Sequence, residues 1–127
     1  MAEEALKKIL IIEDEQELVL SLATLLKSRK YLTVAAYDSL YGISLAHQQN
    51  IDLIILDLGL PAGGGFYVLE NLKQSVKTNS IPVLVLTART EKELEEKALK
   101  LGAAAYMHKP FDPEELLSRI SEILLDK

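Results

Sequence analysis

Two continuous apolar runs of strand length, Lys8–Ile12 (KILII) and Leu53–Leu56 (LIIL), stop abruptly on carboxylates: Glu13, Asp14 and Glu15 after the first, Asp57 after the second. Runs apolar at every position suit strands buried on both faces, as in a parallel sheet. Leu32–Tyr37 and Pro82–Leu86 read as two more strands, a proline being tolerated at the first residue, and Ala103–Met107 as a weaker fifth. Between them the apolar spacing changes to three and four. Leu18, Leu22, Leu25 and Leu26 mark a helix over Gln16–Arg29, and Phe66, Leu69, Leu72 and Val76 mark one over Phe66–Lys77.

The helix ends carry their own signals. Asp38 or Ser39 opens a helix that Asn50 ends, and Thr90 with Glu93 forms a capping box for a helix that Gly102 terminates. Asp112, Pro113 and Glu115 read as N-cap, N1 proline and N3 glutamate of a last helix ending near Leu125. The pattern predicts five strands in strict alternation with five helices. Right-handed crossovers then imply an α/β, doubly wound parallel sheet with helices on both faces, for which the flavodoxin-like order 2-1-3-4-5 is the commonest five-stranded solution and the one expected here. The expected unit is a single domain over 1–127, with an ordered core of roughly 7–126.

Composition narrows the chemistry. With no cysteine there is no disulfide, thiolate metal site or cysteine nucleophile. A net charge of -5 argues against direct nucleic-acid binding, which needs surplus Lys and Arg on one face. No apolar run approaches the roughly 20 residues that span a bilayer, and the start MAEEALKK lacks a signal-peptide core. The expectation is a cytoplasmic protein with no membrane partner.

In the order 2-1-3-4-5 the first and third strands are neighbours, so their carboxyl ends bring Glu13, Asp14 and Asp57 into one cleft. At about 5 Å and an effective dielectric near 20, each like-charged pair costs roughly 3 kcal/mol, so a positive group belongs there. An all-oxygen site suits a hard cation, and one that retains waters and awaits a phosphate oxygen suits Mg²⁺ better than Ca²⁺, with Mn²⁺ as a substitute. Thr87 and Lys109 end the fourth and fifth strands on the same edge. A hydroxyl, an ammonium and a cation around a carboxylate make a site for a transferring phosphoryl group, with Asp57 as nucleophile.

IIEDE, LIILDLGLP, LTAR and YMHKPF stand in the order and spacing of the receiver domain of two-component response regulators, and the chain resembles that family over essentially its whole length. The resemblance implies Glu13 and Asp14 as the acidic pair that holds Mg²⁺, Asp57 as phospho-acceptor and the Gly59 carbonyl as a further ligand. It also implies Thr87 and Lys109 as phosphate contacts, Thr87 and Tyr106 as switch residues, and a cis bond between Lys109 and Pro110. The implied function is a switch of bacterial two-component signalling that takes a phosphoryl group from a sensor histidine kinase or histidine phosphotransfer protein. Output would pass to a downstream protein effector through the fourth helix, last strand and fifth helix, with the chain a monomer or weak dimer.

Several positions depart from the family pattern. Gly64 stands where receivers usually carry Asp, which predicts a more flexible loop. Gly59 places no side chain over the acceptor, whereas Arg89 beyond Thr87 is long and charged; by the resemblance these two positions tune water access to the acyl phosphate. Ala104 and Ala105 replace a usual acid pair while Arg119 remains, which predicts a flat apolar patch instead of an ion-paired dimer face. His47 and His108 read as surface residues. A phosphatase of the haloacid dehalogenase type needs a second Asp where Gly59 stands, and a pseudo-receiver typically lacks acidic or lysine positions that are filled here.

Overall fold

The computed structural model describes residues 6–125, so Asp126, the expected last core residue, lies outside the described residues. The strands are β1 (Lys8–Ile12), β2 (Leu32–Ala36), β3 (Leu53–Leu56), β4 (Val83–Thr87) and β5 (Ala105–His108). The helices are α1 (Gln16–Ser28), α2 (Ser39–Gln48), α3 (Gly64–Gln74), α4 (Lys92–Lys100) and α5 (Pro113–Leu125). All strand pairs are parallel, in the order β2-β1-β3-β4-β5, which is the doubly wound sheet that the alternation predicts.

The apolar runs work because alternate residues feed opposite faces. Leu10, Ile12, Ile54, Leu56, Val83 and Val85 pack under α2, α3 and α4. Ile9, Ile11, Leu53, Ile55, Leu84 and Leu86 pack under α1 and α5. The register sets Ile12 beside Leu56 and Leu56 beside Val85, which aligns the carboxyl ends of β1, β3 and β4. Among the described residues no helix is long and apolar enough to cross a membrane.

Several helix boundaries differ from the sequence reading. Asp38 does cap α2, its Oδ1 accepting from the Tyr41 N–H at 2.8 Å, but the helix stops at Gln48 with Gln49 extended, so Asn50 does not end it. α3 begins at Gly64 and ends at Gln74. The buried Thr78 hydroxyl donates to the Leu72 carbonyl at 2.7 Å and turns the chain away, leaving Val76 89% exposed instead of on the core face. α4 has Glu91, not Thr90, as its N-cap residue and no side-chain cap bond, so the expected capping box does not form. Glu91 pairs with Arg89 instead. Gly102 does close the turn after α4, with φ of 111°. At α5 the Glu115 N–H donates to Asp112 Oδ2 at 3.2 Å, as an N-cap aspartate requires.

Two departures read as surface features have other consequences. Gly64 is buried, and a Cβ there would collide with the Ser39 hydroxyl of α2, so the missing side chain serves helix packing more than loop freedom. Ala105 is only 3% exposed and belongs to the core, so of the two alanines only Ala104 lies on the surface. Arg119 is paired within its own helix, to Glu122 at 3.5 Å.

Candidate functional site

β1 and β3 end side by side, and their terminal acids follow. Glu13 and Asp57 are buried, at 3% and 7% exposure, while Asp14 is exposed. One carboxylate oxygen from each of the three lies within 4.8 Å of the others. The sheet order alone requires this meeting, since β1 and β3 could not be neighbours in a 1-2-3 sheet.

Each buried acid is held by the turn that follows its strand. The Gly59 N–H donates to Asp57 Oδ1 at 2.9 Å, and the Glu15 N–H donates to Glu13 Oε2 at 3.1 Å. Gly59 lies so near the carboxylate that a Cβ would be 3.3 Å from Asp57 Oδ1. Gly65 is constrained more tightly, because any side chain there would run into the Leu58 backbone as α3 begins.

The positive group demanded by the acids is Lys109. Its peptide bond to Pro110 is cis, and its ammonium donates to Glu13 Oε1 at 2.8 Å and to Asp57 Oδ2 at 3.3 Å, with Glu15 Oε1 at 3.9 Å. Burial pushes the Glu13 carboxyl above its ordinary range and Asp57 adds to this, outweighing the Lys109 bond that favours the anion. Burial works against the Lys109 charge too, but the Glu13 bond and the Asp57 and Glu13 charges together hold it above the usual lysine value. The two directions agree physically: two buried acids share one cation, which leaves the cation well compensated and Glu13 undercompensated.

Thr87 is fully buried at the end of β4, and its Oγ1 accepts from the Arg89 N–H at 3.2 Å. Among the described residues that hydroxyl is seen only as an acceptor, which leaves its proton available to a further acceptor. Tyr106 lies half-buried on β5 with its hydroxyl donating to the Arg89 carbonyl at 3.2 Å, and its ring meets the exposed His108 edge-on at 5.6 Å. His47, at the opposite end of the sheet, takes no part. Glu91 is the residue that sequence reasoning missed: its signal was an opposite charge two residues from Arg89, masked by a local match to a capping box.

The donor set fits a hard divalent cation: three carboxylates converge, every candidate ligand is oxygen, and the two histidines stand apart. Glu13, Asp57, Thr87 and Lys109 come from four different strand ends, so the site is built by the sheet and not by one loop.

Known proteins share this arrangement of chain. Over 118 residues the sequence is 36% identical to the phosphate regulon transcriptional regulatory protein PhoB of Escherichia coli strain K12, an alignment covering 93% of this chain and 52% of PhoB. The chain thus spans about half the length of the curated relatives it matches. A CheY-like receiver domain protein from Methanospirillum hungatei JF-1 superposes with a TM-score of 0.90 at 27% identity, covering 96% of each chain. The receiver domain of the sensor histidine kinase PA1611 from Pseudomonas aeruginosa PAO1, with a magnesium ion coordinated in its active site cleft, gives 0.85 at 25% identity, covering 94% of this chain and 98% of that one. The family model of the response regulator receiver domain matches residues 9–121, from within the first strand to within the last helix. With fold, sequence and family model in agreement, the chain belongs to the receiver domains of two-component response regulators.

Proposed function

We propose that this receiver is a phosphorylation-operated switch whose acceptor is Asp57. The observation that carries this reading is the Asp57 carboxylate itself: buried at a strand end, held at one oxygen by the Gly59 N–H and at the other by Lys109, with Thr87 ending the adjacent strand. In the transfer step an Asp57 oxygen attacks phosphorus, the bond from phosphorus to the donor histidine nitrogen breaks, and that nitrogen keeps the electron pair. Little covalent chemistry is asked of the protein beyond holding charge where it develops. Lys109 stays charged throughout and takes one phosphoryl oxygen, while Thr87 donates its free hydroxyl proton to another.

Glu13, Asp14, Asp57 and the Gly59 carbonyl would hold Mg²⁺, with Mn²⁺ able to substitute, and the bound ion supplies charge neutralisation for an incoming anion. The phosphoryl donor is a sensor histidine kinase or histidine phosphotransfer protein. Output runs through α4, β5 and α5 to a downstream protein effector. The Tyr106 hydroxyl bond to Arg89, two residues past Thr87, supports this route, because movement of Thr87 disturbs that loop. Ala104 on the face and Arg119 satisfied by Glu122 favour a monomer or weak dimer over an ion-paired dimer.

Beryllofluoride with Mg²⁺ tests the acceptor. It should perturb amides at the ends of β1, β3 and β4 and leave Asp57→Asn unmoved. An equal response in Asp57→Asn contradicts the reading.

A further inference from the structure

Arg89 is where three parts of the site meet. Its N–H donates to Thr87 Oγ1, its carbonyl accepts from the Tyr106 hydroxyl, and its guanidinium pairs with Glu91 Oε2 at 3.1 Å. Both side chains of that pair are half exposed. Glu91 occupies the N-cap position of α4 but makes no side-chain bond to the helix end, so its carboxylate is committed to Arg89. β3 and β4 are paired neighbours about 4.8 Å apart, and an arginine two residues past Thr87 is long enough to swing across to Asp57.

Resting on Asp57 as the acceptor, we infer that Glu91 is a latch on Arg89: it holds the guanidinium off the site at rest, and a phosphoryl group on Asp57 takes the guanidinium from it. The exchange is favoured by the difference between the two partners. An exposed ion pair between short-range neighbours is screened and weak. A phosphoryl group brings close to two negative charges and three acceptor oxygens, and a planar guanidinium can grip two of them at once. The bond to and charge of Glu91 hold the Arg89 guanidinium above its ordinary value, and the charge of Asp57 adds to this as the smallest contribution. Nor is the released Glu91 left stranded, because a free carboxylate at the first turn of α4 is favoured by the helix dipole. Glu91 is thus a positioning residue, acting on the phosphoryl site only through Arg89.

Competition for one guanidinium makes the two partners antagonistic, so removing the Glu91 charge must strengthen binding at Asp57. The test is beryllofluoride affinity, with Mg²⁺ present, of the full chain as wild type, Glu91→Gln, Arg89→Ala and the double variant, followed by amide NMR. Glu91→Gln should bind roughly two- to fivefold more tightly, a factor bounded by what an exposed ion pair is worth. Arg89→Ala should bind more weakly than wild type, and in that background Glu91→Gln should have no further effect. The gain in Glu91→Gln should shrink at high salt, which a change in helix packing would not do. Equal affinity in wild type and Glu91→Gln, or a gain that persists without Arg89, overturns the latch alone. No beryllofluoride binding in any variant contradicts the acceptor reading, and the latch with it.

Discussion

The Lys109 ammonium lies closer to Glu13 than to Asp57, 2.8 Å against 3.3 Å, so the lysine of the site is anchored mainly to the acid at the end of β1. The pair couples stability to pH. Glu13 is raised above its ordinary 4.5 by burial and by Asp57, so the folded state keeps a proton that the unfolded state has lost, and stability falls as pH rises through that interval. Lys109 is raised above its ordinary 10.5, so its contribution is present below that value and lost as pH rises through the folded pKa. Lys109→Met in EDTA should lower stability at pH 7 by about 2 kcal/mol, less than for a fully buried pair. The loss should shrink on acidification towards pH 4.5, as Glu13 takes up a proton. Melting curves at several pH values check this; a variant as stable as wild type at pH 7 contradicts it.

Asp14 is the exposed member of the acidic cluster, and Lys109 already offsets its two buried neighbours. The repulsion released by Asp14→Asn is therefore screened, and the variant should gain only about 0.5 to 1 kcal/mol in EDTA. Added Mg²⁺ should narrow the gap by binding wild type better. A lower melting temperature for Asp14→Asn in EDTA would show that Asp14 is a structural partner and not a source of strain.

Ser39 and Gly64 occupy one space between α2 and α3. Gly64→Ala should cost about 1 to 2 kcal/mol, and much of the loss should vanish in the Ser39→Ala background, where the hydroxyl is gone. Urea denaturation of the four proteins measures the coupling. Additive losses would mean that the two residues do not share this space. Lys30, at φ of 70°, sits where a glycine is ordinarily favoured, and Lys30→Gly should gain about 0.5 kcal/mol after allowing for the looser unfolded chain.

Thr87 and Tyr106 both bond to Arg89: one accepts from its N–H, the other donates to its carbonyl. Thr87→Ala should still accept a phosphoryl group but respond weakly at β5. Beryllofluoride-induced amide shifts around Tyr106 that survive undiminished in Thr87→Ala would remove this route.

How far the sequence speaks depends on how local the governing interaction is. Apolar runs that end on Glu13 and Asp57 give strand and strand end together, because burial on both faces dictates the run, while the sheet order follows only from 2-1-3-4-5 being the commonest arrangement of five alternating strands. Asp112 reads correctly as a cap because its partner is three residues away. Thr90 fails by the same local logic, since Arg89 offers Glu91 an ion pair that no propensity records. Val76 has the right spacing for a core position, yet Thr78 has already closed the helix. Gly64 reads as loop freedom until α2 is set against it, and the division of Lys109 between two acids needs three strands in place.

Intact mass after incubation with acetyl phosphate tests the central claim most directly. Wild type with Mg²⁺ should gain one phosphoryl group, and the gain should be absent in Asp57→Asn and in wild type with excess chelator. The same gain in Asp57→Asn, or in wild type without a divalent cation, would contradict Asp57 as the cation-dependent acceptor.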